Sequence, residues 1–226
     1  MACRRLVAAA AVWVAVGTMF LARPATARAE GNFSVGVGYS HLWLNGSDSF
    51  RERDGVRFEP RVNFNVIDSL PQLRLGFGLG FSGYSHQLDS DSVITVNDGN
   101  DIFVIHADQW ESLSFLEPEL QISWKQVFDR RGFENHEGFF VEPGVGIGAV
   151  VGNYYIATDW WWGGSSHNEW DAAFAARPFL RAGYQTGRLM FGGEASYLFG
   201  GNIGLTDQVH GQVQEFYVGG FFGTRW

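Results

Sequence analysis

From about residue 30 onward, hydrophobic and polar side chains alternate with a period of two, the repeat of a β-strand with two different faces. The segment 56–66 shows the pattern clearly, with Val56 and Phe58 on one face and Arg57 and Glu59 on the other. A soluble sandwich would bury the apolar face in a core. A membrane barrel would turn the apolar face to lipid and the charged face to its lumen.

Eight segments carry this alternation, and their apolar faces have the length of about 9–11 residues that a tilted membrane-spanning strand requires. The set therefore predicts an all-β fold, an eight-stranded antiparallel up-and-down transmembrane β-barrel, with a soluble periplasmic sandwich as the alternative. The predicted strands are 32–44, 56–66, 73–86, 111–126, 139–154, 171–185, 188–199 and 212–226.

The predicted connections alternate in length, which is typical of an outer-membrane barrel with long loops on one rim and short turns on the other. After the first, third, fifth and seventh strands they run about 11, 24, 16 and 12 residues, and after the second, fourth and sixth about 6, 12 and 2. Aromatic residues gather near both ends of the strands, as two interfacial girdles would. Both chain ends then lie on the short-turn rim, facing the periplasm.

Four prolines stand at outward positions of predicted strands: Pro60, Pro118, Pro143 and Pro178. Because proline removes a hydrogen-bond donor from the ladder and is unusual inside a strand, their recurrence predicts β-bulges or a shared bend.

The first 29 residues have the layout of a secretory signal peptide. Arg4 and Arg5 precede an apolar run over 6–22, and small residues at Ala27 and Ala29 offer cleavage sites. The domain prediction is therefore a signal peptide over 1–29 and a barrel over 30–226, with a retained membrane anchor as the alternative.

The amino-acid composition excludes several classes of partner and of binding site. Of 226 residues, 46% are hydrophobic and 18% charged, and the formal net charge of −8 makes a nucleic-acid partner unexpected. The single cysteine, Cys3, lies in the predicted signal peptide, which excludes disulfide scaffolds and cysteine-rich zinc sites. No acidic segment has the full spacing of an EF-hand, and we expect no metal and no cofactor.

The signal peptide, the eight alternating segments and the ending from Phe216 to Trp226 resemble the small outer-membrane β-barrels of the OmpA/OmpX type. The resemblance implies the outer membrane of a Gram-negative-type bacterium, with its lipid as one partner. It also implies a final strand that the barrel-assembly machinery reads, for which Phe222 and Trp226 are the matching aromatic positions.

Inward-facing charges form the main candidate site, because an eight-stranded barrel has little room beyond side chains and its charges must pair. We interpret them as a salt-bridge network that plugs the lumen, as the resemblance to OmpA-type barrels also implies; a small, porin-like pore with a charged lumen is the alternative. Glycines on the third and fifth strands are expected to make room for arginines of the sixth. The predicted network is Arg57, Glu59, Arg61, Glu117, Glu119, Lys125, Glu142, Arg177, Arg181, Glu194 and Glu215.

The expected function is a structural or surface-interaction role through extracellular loops. Trp160, Trp161 and Trp162 could bind a sugar or a host surface, or fold onto the rim. Residues 93–105 predict a β-hairpin, and OmpX-type barrels carry a similar protrusion whose exposed edges could pair with another chain. A lipid-modifying enzyme is a less favoured alternative, because only Ser165 and His167 have the spacing of a Ser-His pair and they fall in a predicted loop, so no catalytic residue is expected.

Overall fold

The computed structural model describes residues 31–47, 50–67, 69–87, 93–97, 102–106, 108–128, 137–160, 163–206 and 209–226. The predicted signal peptide lies outside these residues. Within them, no helix is long and apolar enough to cross a membrane.

The described residues form eleven strands, nine of which belong to one sheet. They are β1 Gly31–Asn45, β2 Glu52–Asn65, β3 Leu73–Gln87, β4 Val93–Asn97, β5 Ile102–His106, β6 Asp108–Trp124, β7 Gln126–Phe128, β8 Gly138–Trp160, β9 Gly163–Thr186, β10 Leu189–Gly204 and β11 His210–Arg225.

The large sheet closes on itself as an antiparallel barrel. β1 pairs with both β2 and β11, and β8 pairs with both β6 and β9. β6 and β7 together form one strand of the barrel wall, because both pair with β8 and only Lys125 separates them. We call each of the strands that make up the wall a stave. The barrel therefore has eight staves, and the predicted fold class is confirmed. We call the end that holds Gly31 and Trp226 the lower end and the opposite end the upper end.

Burial follows the alternation that the sequence predicts. On β2, Arg57, Glu59 and Arg61 are buried inside the barrel, whereas Val56 and Phe58 are exposed on its outer wall. Charged residues inside and apolar residues outside are the arrangement of a membrane barrel, so the sandwich alternative is wrong.

The four prolines interrupt the ladder without shifting it. The pairing of β2 with β3 skips Glu59 and Pro60 and resumes in the same register at Arg61. The pairing of β6 with β8 likewise skips Glu117 and Pro118. The predicted bulges at these prolines are therefore wrong, and the register shift within the described pairings lies between Phe199 and Asn202. At each proline, the pairing with one neighbouring strand is interrupted and the pairing with the other neighbouring strand is kept.

Several predicted long loops are strand instead. β8 and β9 extend upward as one ladder until Trp160 pairs with Gly163, so most of the predicted loop 155–170 is paired backbone. β2 likewise begins at Glu52 and β10 continues to Gly204. The expected alternation of loop lengths is thus wrong after the first, fifth and seventh staves, because the strands continue beyond their apolar faces. The short turn at the lower end of β9 and β10 is confirmed, and Gly187 adopts the positive φ of 52° that it needs.

The predicted hairpin is confirmed as β4 and β5, which pair from Val93 opposite His106 to Asn97 opposite Ile102. They form a two-stranded sheet of their own.

Candidate functional site

Two arginines at mid-height of the lumen hold a cluster of carboxylates. Arg57 donates to Glu59 at 2.9 Å, to Glu117 at 2.6 Å and to Glu215 at 3.3 Å. Arg177 also donates to Glu117 and lies 3.6 Å from Glu215. Both guanidinium side chains are fully buried. Charge-assisted bonds of this kind offset part of the cost of removing the ions from water.

A second group lies nearer the lower end. Arg61 bridges Glu59 and Glu194, with an Nη2–Oε1 distance of 2.8 Å to the latter. Arg181 lies 3.3 Å from the other oxygen of Glu194 and 3.8 Å from Glu142. Glu59 joins the two groups, because it accepts from both Arg57 and Arg61.

Aromatic rings inside the barrel face three of these arginines, one of them Arg57, whose guanidinium carbon lies 5.8 Å from the ring centre of Tyr217. The guanidinium carbon of Arg61 lies 4.4 Å from the ring centre of Phe179, and that of Arg181 lies 3.9 Å from the ring centre of Phe221. Cation–π attraction is strongest when both groups are removed from water, so the buried phenylalanines stabilise the charges as well as filling space.

Lys125 reaches the same interior from the break between β6 and β7. Its side chain is buried, and its ammonium lies 4.0 Å from the ring centre of Phe140. Sequence reasoning missed Arg74, which is also buried on the inner face. Its position is even-numbered, as are the inward positions Gly76 and Gly78 of the same strand, so the alternation could have found it.

All eleven predicted network residues are buried in the lumen. With Arg74 included, the described interior at this depth holds six cationic and six acidic side chains. Their formal charges balance, which is the condition for keeping so many ions out of water.

The inward glycines of β3 and β8 leave space for side chains other than those predicted from the sequence. A Cβ added at Gly80 would overlap the guanidinium of Arg57, which comes from the second stave rather than the sixth. One added at Gly146 would overlap the carboxylate of Glu119. The expectation that these glycines serve the arginines of the sixth stave is therefore wrong.

Apolar layers lie above and below the charges. The upper layer is a cluster of buried hydrophobic residues that the strand alternation does not predict. It consists of Leu42, Leu44, Phe50, Tyr84, Leu113, Phe115, Val150, Tyr154, Ala175, Leu198, Ile203, Leu205, Val209 and Val213. The lower layer consists of Phe140, Met190 and Phe221, with Val127 packed against them. The charged lumen is thus enclosed by apolar packing at both ends.

The change from apolar to polar residues on the outer wall marks the upper boundary of the membrane-spanning part. Outward residues of β2 are apolar from Val56 downward, whereas Asp54 on the same face is exposed and acidic. Asp54 accepts hydrogen bonds from Tyr39 and, at 2.6 Å, from His41. These bonds lower the pKa of Asp54 below its ordinary value, that from Tyr39 contributing most. On the opposite side of the barrel, the exposed pair Asn153 and Asn168 marks the same transition.

Above this boundary, the described part of the barrel wall continues mainly on one side, and we call this part the protruding sheet. It consists of residues 85–87 of β3, 108–112 of β6, 153–160 of β8 and 163–170 of β9. At about 3.3 Å per residue, the β8–β9 ladder rises roughly 25 Å along the strands.

The protruding sheet ends in an open edge on β9. The pairing of β10 with β9 ends at Gly200 opposite Ala175, and just above it Asp171 accepts a 2.7 Å hydrogen bond from the Gly204 amide. Within the described residues, no strand pairs with this side of β9 over 163–170. The opposite side is paired with β8 throughout.

Pro178 shows which backbone groups face the open edge. The ladder with β10 is interrupted at residues 177 and 178, whereas the ladder with β8 is continuous, so the nitrogen of Pro178 points toward β10. Alternate residues direct their N–H and C=O groups to opposite sides of a strand. The even-numbered residues Gly164, Ser166, Asn168 and Trp170 therefore direct their backbone groups to the open edge.

The remaining predicted site residues are placed as follows. Phe222 and Trp226 are exposed on the outer wall near the lower end, and the backbone of Trp226 pairs with Gly31. Trp160 ends β8, and Trp161 and Trp162 lie outside the described residues. Ser165 and His167 stand on β9 rather than in a loop.

No protein-family model matches the chain, and no curated protein matches it. Several solved structures are similar in fold. Neisserial surface protein A is 11% identical, with 87% of this chain and 97% of that chain covered and a TM-score of 0.49. Ail, the attachment invasion locus protein of Yersinia pestis, in complex with the heparin analogue sucrose octasulfate, is 13% identical, with 88% and 100% covered and a TM-score of 0.43. The outer membrane protease OmpT from Escherichia coli is 8% identical, with 89% and 99% covered and a TM-score of 0.46.

Proposed function

We propose that this chain is a non-conducting outer-membrane β-barrel that binds a partner chain at the cell surface through the open edge of β9. The observation that carries the proposal is the edge of β9 over 163–170, with which no described strand pairs and which the β8–β9 ladder holds above the membrane. An extended segment of another protein can add to such an edge as a further strand. The lower end then faces the periplasm, and the role is binding rather than catalysis.

The composition of this edge supports binding. Natural proteins protect exposed edges with lysine, proline or bulges. Residues 163–170 contain no proline and no lysine, and the β8–β9 register runs through them without a shift. The edge is therefore left available for another strand.

The packing of the lumen supports a barrel that does not conduct. Ions crossing it would have to separate the paired side chains of Arg57, Glu117 and Arg177 and pass two apolar layers. These contacts of the described residues favour a sealed barrel over the small-pore alternative.

We expect the protein to show no stepwise conductance after insertion into a planar lipid bilayer, because its lumen is packed with side chains. Insertion is verified by the slower gel migration of the heated sample, and a general porin in the same bilayer serves as the positive control. Discrete openings of the verified barrel would contradict a sealed lumen.

The open edge predicts an alternating pattern of amide exchange on β9. We expect the amides of Ser166, Asn168 and Trp170 to exchange at least about tenfold faster than those of Ser165, His167 and Glu169, because only the odd-numbered amides are bonded to β8. Residue-resolved hydrogen exchange by NMR in detergent micelles measures this. Equal protection of both sets would show that the edge is occupied or differently oriented.

Binding itself is tested with three labelled peptides of about ten residues, the length of a short strand. In each, threonine alternates with glutamine, lysine or glutamate. Ser166→Pro removes an edge amide, and Ser166→Ala is its matched control. The proposal requires that at least one peptide bind wild type and Ser166→Ala and lose at least about tenfold in affinity with Ser166→Pro. If Ser166→Pro does not refold, Gly164→Pro replaces it.

The three tryptophans adjoin this edge in sequence, because Trp160 is the last residue of β8 and Trp161 and Trp162 precede β9. Their part in binding a sugar or a host surface stays a prediction, as does the reading of Phe222 and Trp226 by the assembly machinery.

A further inference from the structure

Five rings follow one another on the outer wall at the upper boundary of the membrane-spanning part, and we call them the aromatic strip. The strip begins on β1 and continues on β10, with β11 between them. Successive ring centres lie 6.5, 4.3, 6.0 and 4.6 Å apart. In this order the rings belong to Tyr39, His41, Trp43, Tyr197 and Phe199.

Two carboxylates lie beside the aromatic strip on the neighbouring strand β2. The register places Glu52 directly opposite Trp43 and Asp54 directly opposite His41, and the Cβ atoms of such pairs lie about 5 Å apart. Both acidic side chains are exposed. The described outward positions of β1, β2, β10 and β11 hold no lysine or arginine, so this part of the wall is negatively charged.

Asp54 is ionised and can accept from a further donor. The hydrogen bonds from Tyr39 and His41 both end on its Oδ1, and its side chain is 68% exposed. Glu52 keeps the surface negative even when His41 carries a proton. A carboxylate at the level of the lipid head groups repels their phosphates and attracts cations. An aromatic girdle needs no carboxylates to sit at a membrane interface, so these two call for a ligand of opposite charge.

We propose that the aromatic strip, together with Glu52 and Asp54, binds the ammonium head group of a membrane lipid. The faces of aromatic rings attract ammonium groups, tryptophan most strongly, and the carboxylates supply the opposite charge. The acyl chains of the same lipid would lie against the apolar wall just below, where Val37, Val56 and Phe58 are exposed. This site is separate from the open edge of β9 and does not depend on binding there.

Two short-chain lipids that differ in head-group charge test the proposal. The refolded protein in detergent micelles is titrated with phosphatidylethanolamine, which carries an ammonium group, and with phosphatidylglycerol, which does not. We expect phosphatidylethanolamine to bind at least about tenfold more tightly, as measured by native mass spectrometry. It should also shift the NMR signal of the Trp43 indole N–H, which is assigned by its loss in Trp43→Leu.

Variants on the two parts of the site locate the binding. Glu52→Gln with Asp54→Asn should weaken phosphatidylethanolamine at least about tenfold and should not weaken phosphatidylglycerol. Trp43→Leu keeps an apolar side chain but removes the ring, and should weaken phosphatidylethanolamine about threefold to tenfold. Trp170→Leu is the matched control, because it removes an exposed tryptophan of the outer wall that is not part of the strip, and it should leave both affinities unchanged.

Three outcomes overturn the proposal in different ways. If both lipids bind equally, or if the double variant binds like wild type, the strip is an interfacial girdle without head-group selectivity. If phosphatidylglycerol binds as tightly as phosphatidylethanolamine with magnesium present, and a chelator abolishes this, the carboxylates hold a divalent cation. If glycerophosphoethanolamine, which lacks acyl chains, binds as tightly as the lipid, the ligand is a soluble amine.

Discussion

Replacing Arg177 by methionine is expected to lower the free energy of unfolding by about 3–5 kcal/mol, the usual cost of removing one partner from a buried ion pair. Arg177 is fully buried, donates to Glu117 and lies within 4 Å of Glu119 and Glu215. Without it the charged layer of the lumen holds one more acidic than cationic side chain, and these carboxylates lose one of their counter-ions. Urea unfolding in lipid vesicles, followed by tryptophan fluorescence, measures the loss.

The double variant Arg177→Met with Glu117→Gln should recover most of this loss, because the interior charges balance again. Arg188→Met is the matched control. Arg188 is exposed at the turn between β9 and β10, and substitutions at such sites usually change stability by less than about 0.5 kcal/mol. A loss at Arg177 no larger than at Arg188, or a double variant less stable than Arg177→Met, would contradict the ion-pair core.

The faces of the strands could be predicted from sequence because the strand repeat of two is simple and strict. In β2, where Arg57 and Glu59 alternate with Val56 and Phe58, the two faces differ so strongly that a shift of one residue would invert the barrel. The partners of each charge could not be predicted in the same way. Arg57 forms ion pairs with Glu117 and Glu215 across the lumen. Which side chains come together in this way depends on the stagger between the strands of the closed barrel.

The upper apolar layer was missed because the alternation disappears where both faces of a strand are apolar. On β1, Leu42 and Leu44 point inward while Trp43 between them faces outward, so the inner face changes from polar to apolar above Ser40. The protruding part of β8 and β9 was missed for another reason. Its glycines, serines and aspartates have low strand propensity, and it is strand because each residue has a partner across the ladder.

Gly80→Val is expected to destabilise the barrel by about 3 kcal/mol or more, whereas Gly83→Val on the same strand should change its stability by less than about 1 kcal/mol. A Cβ at Gly80 would lie only 2.6 Å from Nη1 of Arg57 and closer still to two other guanidinium atoms. That guanidinium is held by Glu59, Glu117 and Glu215, so it cannot move aside without breaking buried ion pairs.

Gly83 offers a matched control because a Cβ there would meet nothing within 4 Å, and valine suits an exposed strand position. The two variants add the same side chain to the same strand and differ in the face that receives it. Urea unfolding of both in lipid vesicles therefore isolates the close packing of Arg57 against β3. If both variants lose stability equally, the cost comes from changing the β3 backbone, and Gly80 is not required to make room for the ion pairs.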